Sequence, residues 1–330
     1  APLAERYKIP VFTPTASSPD LAGRSPYIFR NALTRGAQAQ FLAKHAVNRL
    51  HLRRFAILFP RESFGIELKE IFQHEVEALG AEVVATVPYD RSQTDFKKQI
   101  LALGGISDEE LDRLARDKTL GLETAPPLGR AGVLSRPRVN MGLWEGEDIA
   151  DINTALELAY DAIFIPGYYD KVGLILPQLA FYNIEHVALL GSREWNSPEL
   201  VRLAGRYLGG GTFLDGFFAD SPMPRVRGFV DRFRKNFGET PGVYSAQAYD
   251  AAGLFIEAVK GGAGNRLEVK EALAKFKGFP GVSGVLTILP SGDVERELFT
   301  LQVRHNAIVQ ENADIPDEVP PSAEATDPKG

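Results

Sequence analysis

Few residues in this sequence have the type and spacing that chemistry needs. The five histidines, His45, His51, His74, His186 and His305, form no H-E-x-x-H pattern and no close pair, so no metal site is expected from them. There is no cysteine, which removes disulfides, thiolate nucleophiles and Cys-ligated zinc. Gly281-Val282-Ser283-Gly284 is not a G-x-S-x-G elbow, and no triad can be assigned around it. Glu62 and Glu67 could pair as carboxylates, but surface helices carry such residues constantly. The glycine-rich run Lys260-Gly261-Gly262-Ala263-Gly264 follows a helical pattern rather than a strand, so it reads as a helix stop and not as a dinucleotide loop. Catalysis has no residue set to stand on, and neither cofactor nor metal is expected. Binding remains, and its best candidate is the loop Pro166-Gly167-Tyr168-Tyr169-Asp170. Two aromatics there directly follow the apolar run Ala162 to Ile165.

The elements that must hold that loop are legible around it. Asp161 to Gly191 reads as strand, loop, helix and strand. Ala162–Ile165 has the unbroken apolarity of a strand buried on both faces, Asp170 can cap the helix, and Val172, Ile175, Leu176 and Leu179 recur at helical spacing. Val187 to Leu190 is the next buried strand. Such a unit implies a parallel sheet covered by helices, where ligands bind beyond the carboxyl ends of the strands. Pro177 falls inside the helix and predicts a kink or a late start.

The same alternation extends along the chain. A short strand at Lys8 to Phe12 leads to a polar loop, Thr13 to Ser18. A helix is expected from about Gly36 to Leu50, a strand over Phe55–Phe59, and an amphipathic helix to Leu79 with Ile66, Leu68, Ile71, Phe72, Val76 and Leu79 on its apolar stripe. Val83 to Val87 is a strand, and Asp95-Phe96 opens a helix. Ser107-Asp108-Glu109-Glu110 is a capping box for a short helix to about Lys118, Thr124 to Glu147 has no sustained period, and a helix is expected at about Asp148 to Tyr160. A helix over Ser197–Tyr207 and a strand over Thr212–Phe218 follow. Three further helices are expected: Arg225–Phe237, Ser245–Lys260 and Leu267–Phe276. Val285–Leu289 and Leu298–Arg304 are expected to form a hairpin around Ser291-Gly292-Asp293. The tail from Glu311 is rich in Pro and acids and reads as disordered, residues 313–330 in particular.

Composition sets the outer bounds. A chain of 330 residues with 44% apolar content is long enough for two domains. A net charge of −6, with acids and bases interleaved, argues against nucleic acid as a partner. No apolar run approaches the ~20 residues of a membrane-spanning helix. The missing cysteines fit a cytosolic or an exported chain equally; no signal-peptide pattern is read at Ala1, so the address of an exported chain is expected to have been removed or to lie upstream.

The segments FAILFPRESFG, LGAEVVATVPYDRSQTDFKKQI, DAIFIPGYYDKVGLILPQL, QAYDAAGLFIEAV and GVSGVLTILPSGDV, in this order, resemble the type I periplasmic binding proteins. Within them the similarity is to the branched-chain amino-acid-binding group, the related bacterial ligand-binding receptors and the penicillin-binding-protein activator lipoproteins. The resemblance implies an α/β fold of two lobes, with parallel sheets flanked by helices and three crossovers forming a hinge. Carried over, it puts residues 1–52 and 222–282 in a first lobe that is incomplete at its N-terminus. Residues 53–221 and 283–312 fall in a second lobe, with 103–147 as an insertion.

The resemblance also implies a ligand site in the cleft. It assigns Thr15 and Ser17 to the first lobe's contact loop, and Ser63, Phe64, Tyr168, Tyr169, Glu194 and Trp195 to the second lobe's. A plainer reading stands beside most of them: turn and cap residues for Thr15 and Ser17, packed aromatics for Phe64, Tyr168, Tyr169 and Trp195. Amino-acid binders carry an acid in the loop that here runs Asn31 to Gln40, which has none and instead holds Arg35. The implied function is non-enzymatic: an extracytoplasmic protein that closes around a small polar or anionic ligand, amino-acid-like or another carboxylate, for ABC-type transport or sensing. Its partner would be a transporter permease, and anchoring would come from a lipoprotein segment ahead of Ala1. The alternative is a protein-interaction module of the activator type, whose insertion 103–147 meets a cell-wall synthase.

Overall fold

A computed structural model of the chain describes residues 2–16, 21, 23–105 and 158–311. Ser17, the tail from 312, and the segments expected at 107–118 and 124–147 lie outside the described residues. So does the helix expected at 148–160, apart from Leu158–Tyr160, which are not helical. No helix among the described residues is long and apolar enough to cross a membrane.

The chain opens with α1 (Pro2–Arg6), β1 (Val11–Thr13) and β2 (Ile28–Arg30), the two strands pairing in parallel. Then come α2 (Arg35–Asn48), β3 (Arg54–Pro60), α3 (Ser63–Ala78), β4 (Glu82–Tyr89) and α4 (Lys97–Leu103). The next run is β5 (Ala162–Ile165), α5 (Tyr169–Phe181), β6 (Ala188–Gly191), a 3-10 turn (Arg193–Trp195), α6 (Pro198–Ala204) and β7 (Thr212–Asp215). Three helices, α7 (Pro224–Phe237), α8 (Val243–Lys260) and α9 (Arg266–Leu273), precede β8 (Phe279–Gly281), β9 (Gly284–Ile288), β10 (Val294–Arg296), β11 (Phe299–Arg304) and β12 (Ala307–Gln310).

Seven strands form the main sheet in the order β12-β11-β7-β6-β5-β3-β4, with β3 to β7 parallel and β11 antiparallel to both its neighbours. Its central strands are buried on both faces, as their unbroken apolar runs require. Ala56, Leu58, Ile163 and Ile165 face a core built with α4, α5, α6 and α7, while Phe55, Ile57, Ala162 and Phe164 face α2 and α3. The edge strand β4 alternates between exposed and half-buried residues and covers one face only. A smaller body holds β1–β2 and the antiparallel sheet β10-β9-β8, packed with α8 and α9 around Phe29, Leu254, Leu273, Leu286 and Ile288.

This packing differs from the lobe limits expected above. Helix α2 lies against α3 and the main sheet, so residues 35–48 sit with the second lobe and not the first. Val226, Phe229 and Val230 of α7 join the main-sheet core with Phe217, Phe299 and Leu301, which moves α7 as well. Periodicity shows which face of a helix is buried but not which sheet it covers. The hairpin also differs: β9 pairs with the short β10, and β11 has already crossed to β7. The chain therefore passes between the bodies near Asn31 to Arg35, Gly238 to Val243 and Arg296 to Phe299.

Helix α5 starts at Tyr169 and runs unbroken through Pro177, so no late start occurs. Tyr168 is its N-cap, and Asp170 sits in the first turn, where the helix dipole favours an acid, instead of capping. Gln178 secures this region: its amide donates to Leu174 O (3.1 Å) and Thr94 O (2.9 Å) and accepts from Phe96 N (2.8 Å). On α3 the buried stripe is Phe64, Leu68, Phe72 and Val76; Ile66 is exposed.

Candidate functional site

Because β3 to β7 are parallel, their carboxyl ends share one edge of the sheet, and the loops leaving that edge carry the site. β3 ends at Pro60, and Gly65 in the first turn of α3 lies so close that a Cβ there would fall 2.3 Å from Pro60 O. This contact pins the start of α3 to the strand end. Phe64 is thereby set against Tyr168, the residue before α5, with ring centroids 5.0 Å apart. Arg91, just after β4, places its guanidinium 4.0 Å from the centre of the Tyr168 ring, and Arg35 lies 5.4 Å from the centre of the Phe64 ring. The two aromatics thus carry an arginine each. Carboxylates steady both cations: Arg35 pairs with Glu67 (2.7 Å) and Arg91 with Glu62 (3.7 Å). These pairs are half exposed, so they position side chains more than they stabilise the fold.

Neither α3 nor α5 has a side chain capping its N-terminus. Their first N–H groups, the positive ends of two helix dipoles, point out at the edge beside the aromatic pair. An anion suits such a place.

Next along the edge, β6 ends at Gly191, where an added Cβ would come within 2.1 Å of the Trp195 ring. Trp195 is fully buried, packs near Phe213 (6.2 Å) and donates from Nε1 to Ile165 O (3.1 Å). It therefore supports the turn from below and presents no surface to a ligand, which corrects its expected place in the cleft wall. Above it, Arg193 N donates to Gln38 Oε1 (3.1 Å), and Arg193 Nε lies 3.3 Å from Glu194 Oε1. The other oxygen, Glu194 Oε2, is buried with no hydrogen-bond partner among the described residues. Asp215, at the end of β7, accepts from Asn196 Nδ2 (2.8 Å) and Gly216 N (2.6 Å). Burial pushes its carboxyl up to about 6 against the pull of Asn196 and Arg193.

The smaller body meets this edge through α8 and the loops after β1 and β2. Arg193 Nη2 donates to Tyr244 Oη (3.3 Å) in the first turn of α8, a direct link across the two bodies. The Gln247 amide, oriented to suit its neighbours, donates to Pro14 O (2.7 Å) and accepts from Leu33 N (3.2 Å). Behind this contact lies a buried polar knot. Asn31 Nδ2 donates to Gln247 O (2.8 Å), Asp250 accepts from Val282 N (2.7 Å) and Ser283 N (2.8 Å), and Arg296 donates to Ser283 Oγ (3.0 Å) and to Asn31.

Of the expected site residues, Phe64 and Tyr168 are in contact, and Glu194 lies further along the same edge. Ser63 and Tyr169 are exposed at the first positions of α3 and α5. Thr15 is exposed on the loop after β1, where Ala16 N donates to Thr13 Oγ1 (3.2 Å). Arg193 opens the loop that the resemblance assigned together with Glu194 and Trp195, whereas Arg91, Tyr244 and Gln247 were not singled out from the sequence. Arg91 does follow a strand, so the strand-end rule that found Tyr168 could have found it.

The Periplasmic binding protein family model matches residues 1–105 and 151–307. No curated protein matches the sequence. Among solved structures, the chain is similar to a leucine-binding protein from Thermotoga maritima, with 21% identity and a TM-score of 0.61 over 94% of this chain and 74% of that one. It is similar to a putative branched-chain amino acid ABC transporter from Rhodospirillum rubrum, with 20% identity and a TM-score of 0.72 over 94% and 75%. It is also similar to a solute-binding protein of an ABC transporter from Rhodopseudomonas palustris in complex with 3,4-dihydroxy benzoic acid, with 19% identity and a TM-score of 0.57 over 92% and 70%.

Proposed function

From the premise that the chain belongs to the periplasmic binding protein family, we propose that it is a non-catalytic extracytoplasmic solute-binding protein that closes around a small organic carboxylate and serves an ABC-type permease or a sensor. The observation that carries this reading is the Phe64–Tyr168 pair, flanked by Arg35 and Arg91 and set beside the uncapped N-termini of α3 and α5. Cations, free N–H groups and the half-buried Tyr168 ring, backed by the buried Phe64, suit a carboxylate on an apolar body. Glu194 Oε2, buried without a partner, calls for a hydrogen-bond donor at another point of the ligand.

The ligands named for two of the similar structures, leucine and 3,4-dihydroxy benzoic acid, are both carboxylates that also carry donors. The smaller body supplies the opposing wall through Thr15, Tyr244 and Gln247, and Ser63 and Tyr169 rim the other side. The activator alternative rests on the segment 103–147, which lies outside the described residues beyond Gly105.

Thermal-shift and calorimetric titration of the full chain with leucine, benzoate and 3,4-dihydroxybenzoate, each beside its amide analogue, tests this. Binding of at least one acid and none of the amides is expected. Equal response to acids and amides, or to neither, would overturn it.

A further inference from the structure

A second cavity lies at the other end of the main sheet from β4 and Arg91, and it shares no residue with the site above. Its volume is about 390 Å³, within the range of small-molecule pockets. The last turns of α2, the start of α7 and the strand that crosses from β10 into β11 enclose it. Phe41, Met223, Val285, Leu298 and Phe299 give it an apolar floor.

The charged rim is what singles it out. Lys44, Arg49 and Arg225 face it together with Glu297 and Glu311, and Lys44 also pairs with Glu75 (3.5 Å). Burial holds the His45 imidazole below its usual range, against the opposing pull of Glu311. Among the described residues, three buried polar atoms on this one cavity have no hydrogen-bond partner: His45 Nε2, Arg225 Nε and Glu311 Oε2. The first and last are 3.4 Å apart, too far for a good bond. Arg225 Nη2 meets the Met223 thioether, at 3.4 Å. Native proteins rarely leave buried polar atoms unpaired, and a cluster around a cavity calls for an occupant.

We infer that this cavity is a second ligand site, for a small amphipathic monoanion whose carboxylate is held by Arg225 and whose apolar body lies on Phe41, Leu298 and Phe299. A carboxylate supplies acceptors for Arg225 Nε, and its hydrocarbon part matches the floor. One wall is the third crossing between the two bodies, so an occupant would touch the hinge as well as the sheet.

The test follows the imidazole C–H signals of the full chain by NMR during titration with hexanoate, acetate or inorganic phosphate, with His45 assigned by His45→Gln. Saturable movement of the His45 signal by hexanoate, with little by acetate or phosphate, is expected. Arg225→Lys, which keeps the charge and loses Nε, should weaken the hexanoate effect about tenfold. Arg91→Gln, in the other site, should leave it unchanged. A still His45 signal in the unaltered chain would overturn the proposal without recourse to any variant. So would equal movement by all three anions, which is the behaviour of an adventitious ion, or an undiminished effect in Arg225→Lys.

Discussion

At the scale of single residues, Glu194 is the side chain that would set what the proposed carboxylate site discriminates. One of its oxygens is held near Arg193, and the other is buried and unpaired. A ligand donor placed there gains a charge-assisted hydrogen bond, while a ligand without one leaves the carboxylate oxygen as it was. Glu194→Gln should therefore weaken a ligand carrying an ammonium or hydroxyl donor about 10- to 100-fold and leave benzoate almost unaffected. Parallel calorimetric titrations check this, and an equal loss for both ligand types would place Glu194 outside the contact. Tyr168 could be picked from the sequence because it closely follows an apolar strand, whereas Glu194 and Trp195 came only from the family resemblance. For Trp195 the resemblance misled. An aromatic just past a strand end can face the ligand or fold beneath the turn, and only the 2.1 Å approach over Gly191 decides which.

That approach is also a property of the elements. The β6 turn packs on the Trp195 ring, the ring packs near Phe213 of β7, and its N–H holds the end of β5 through Ile165. Three parallel strand ends are tied through one side chain. Gly191→Ala forces a methyl into the ring, and the expected cost is about 1–3 kcal/mol. Urea unfolding would measure it, and an unchanged midpoint would mean that the ring has room to move aside.

The strands themselves were plain in the sequence because β3 and β5 are buried on both faces and need unbroken apolar runs. The assignment of α2 and α7 to a sheet was not plain. An apolar stripe at helical spacing fits either body equally well, and the choice rests on contacts with residues far along the chain. The pairing of β9 failed for a related reason. The turn at Ser291-Gly292-Asp293 is where the sequence puts it, but β10 is only three residues long and carries little pattern of its own.

At the scale of the whole molecule, two buried polar groups lie where the bodies meet, and they act in opposite senses. Asp250 and Arg296 belong to one knot, linked through Ser283, that joins α8, the β8–β9 turn and the third crossing. Arg296 is held down to about 10, by burial first, while Asp250 pulls it back up. Removing the acid leaves the guanidinium buried and uncompensated, so Asp250→Ala should cost about 3–5 kcal/mol. Denaturant unfolding checks this, and a loss under about 1 kcal/mol would show that the pair adds little to the fold.

Asp215 accepts from two neutral donors, Asn196 Nδ2 and Gly216 N, and burial still raises its carboxyl from 3.8 to about 6. Below the unfolded value both states are protonated. Between that value and about 6 the unfolded chain ionises while the folded chain keeps its proton, so the folded state binds more protons and stability falls as pH rises. The loss reaches about 3 kcal/mol and is complete above the folded value. Asp215→Asn cannot lose it. Other carboxylates titrate in the same window, so the informative quantity is the variant's stability minus that of the unaltered chain. That difference should rise from pH 4 to pH 6, by no more than about 3 kcal/mol, and stay level from pH 7 to pH 8. Urea unfolding across that range provides the measurement. A difference independent of pH would mean that Asp215 reaches water when the bodies move apart, so that its burial belongs only to the closed arrangement held by Arg193 and Tyr244.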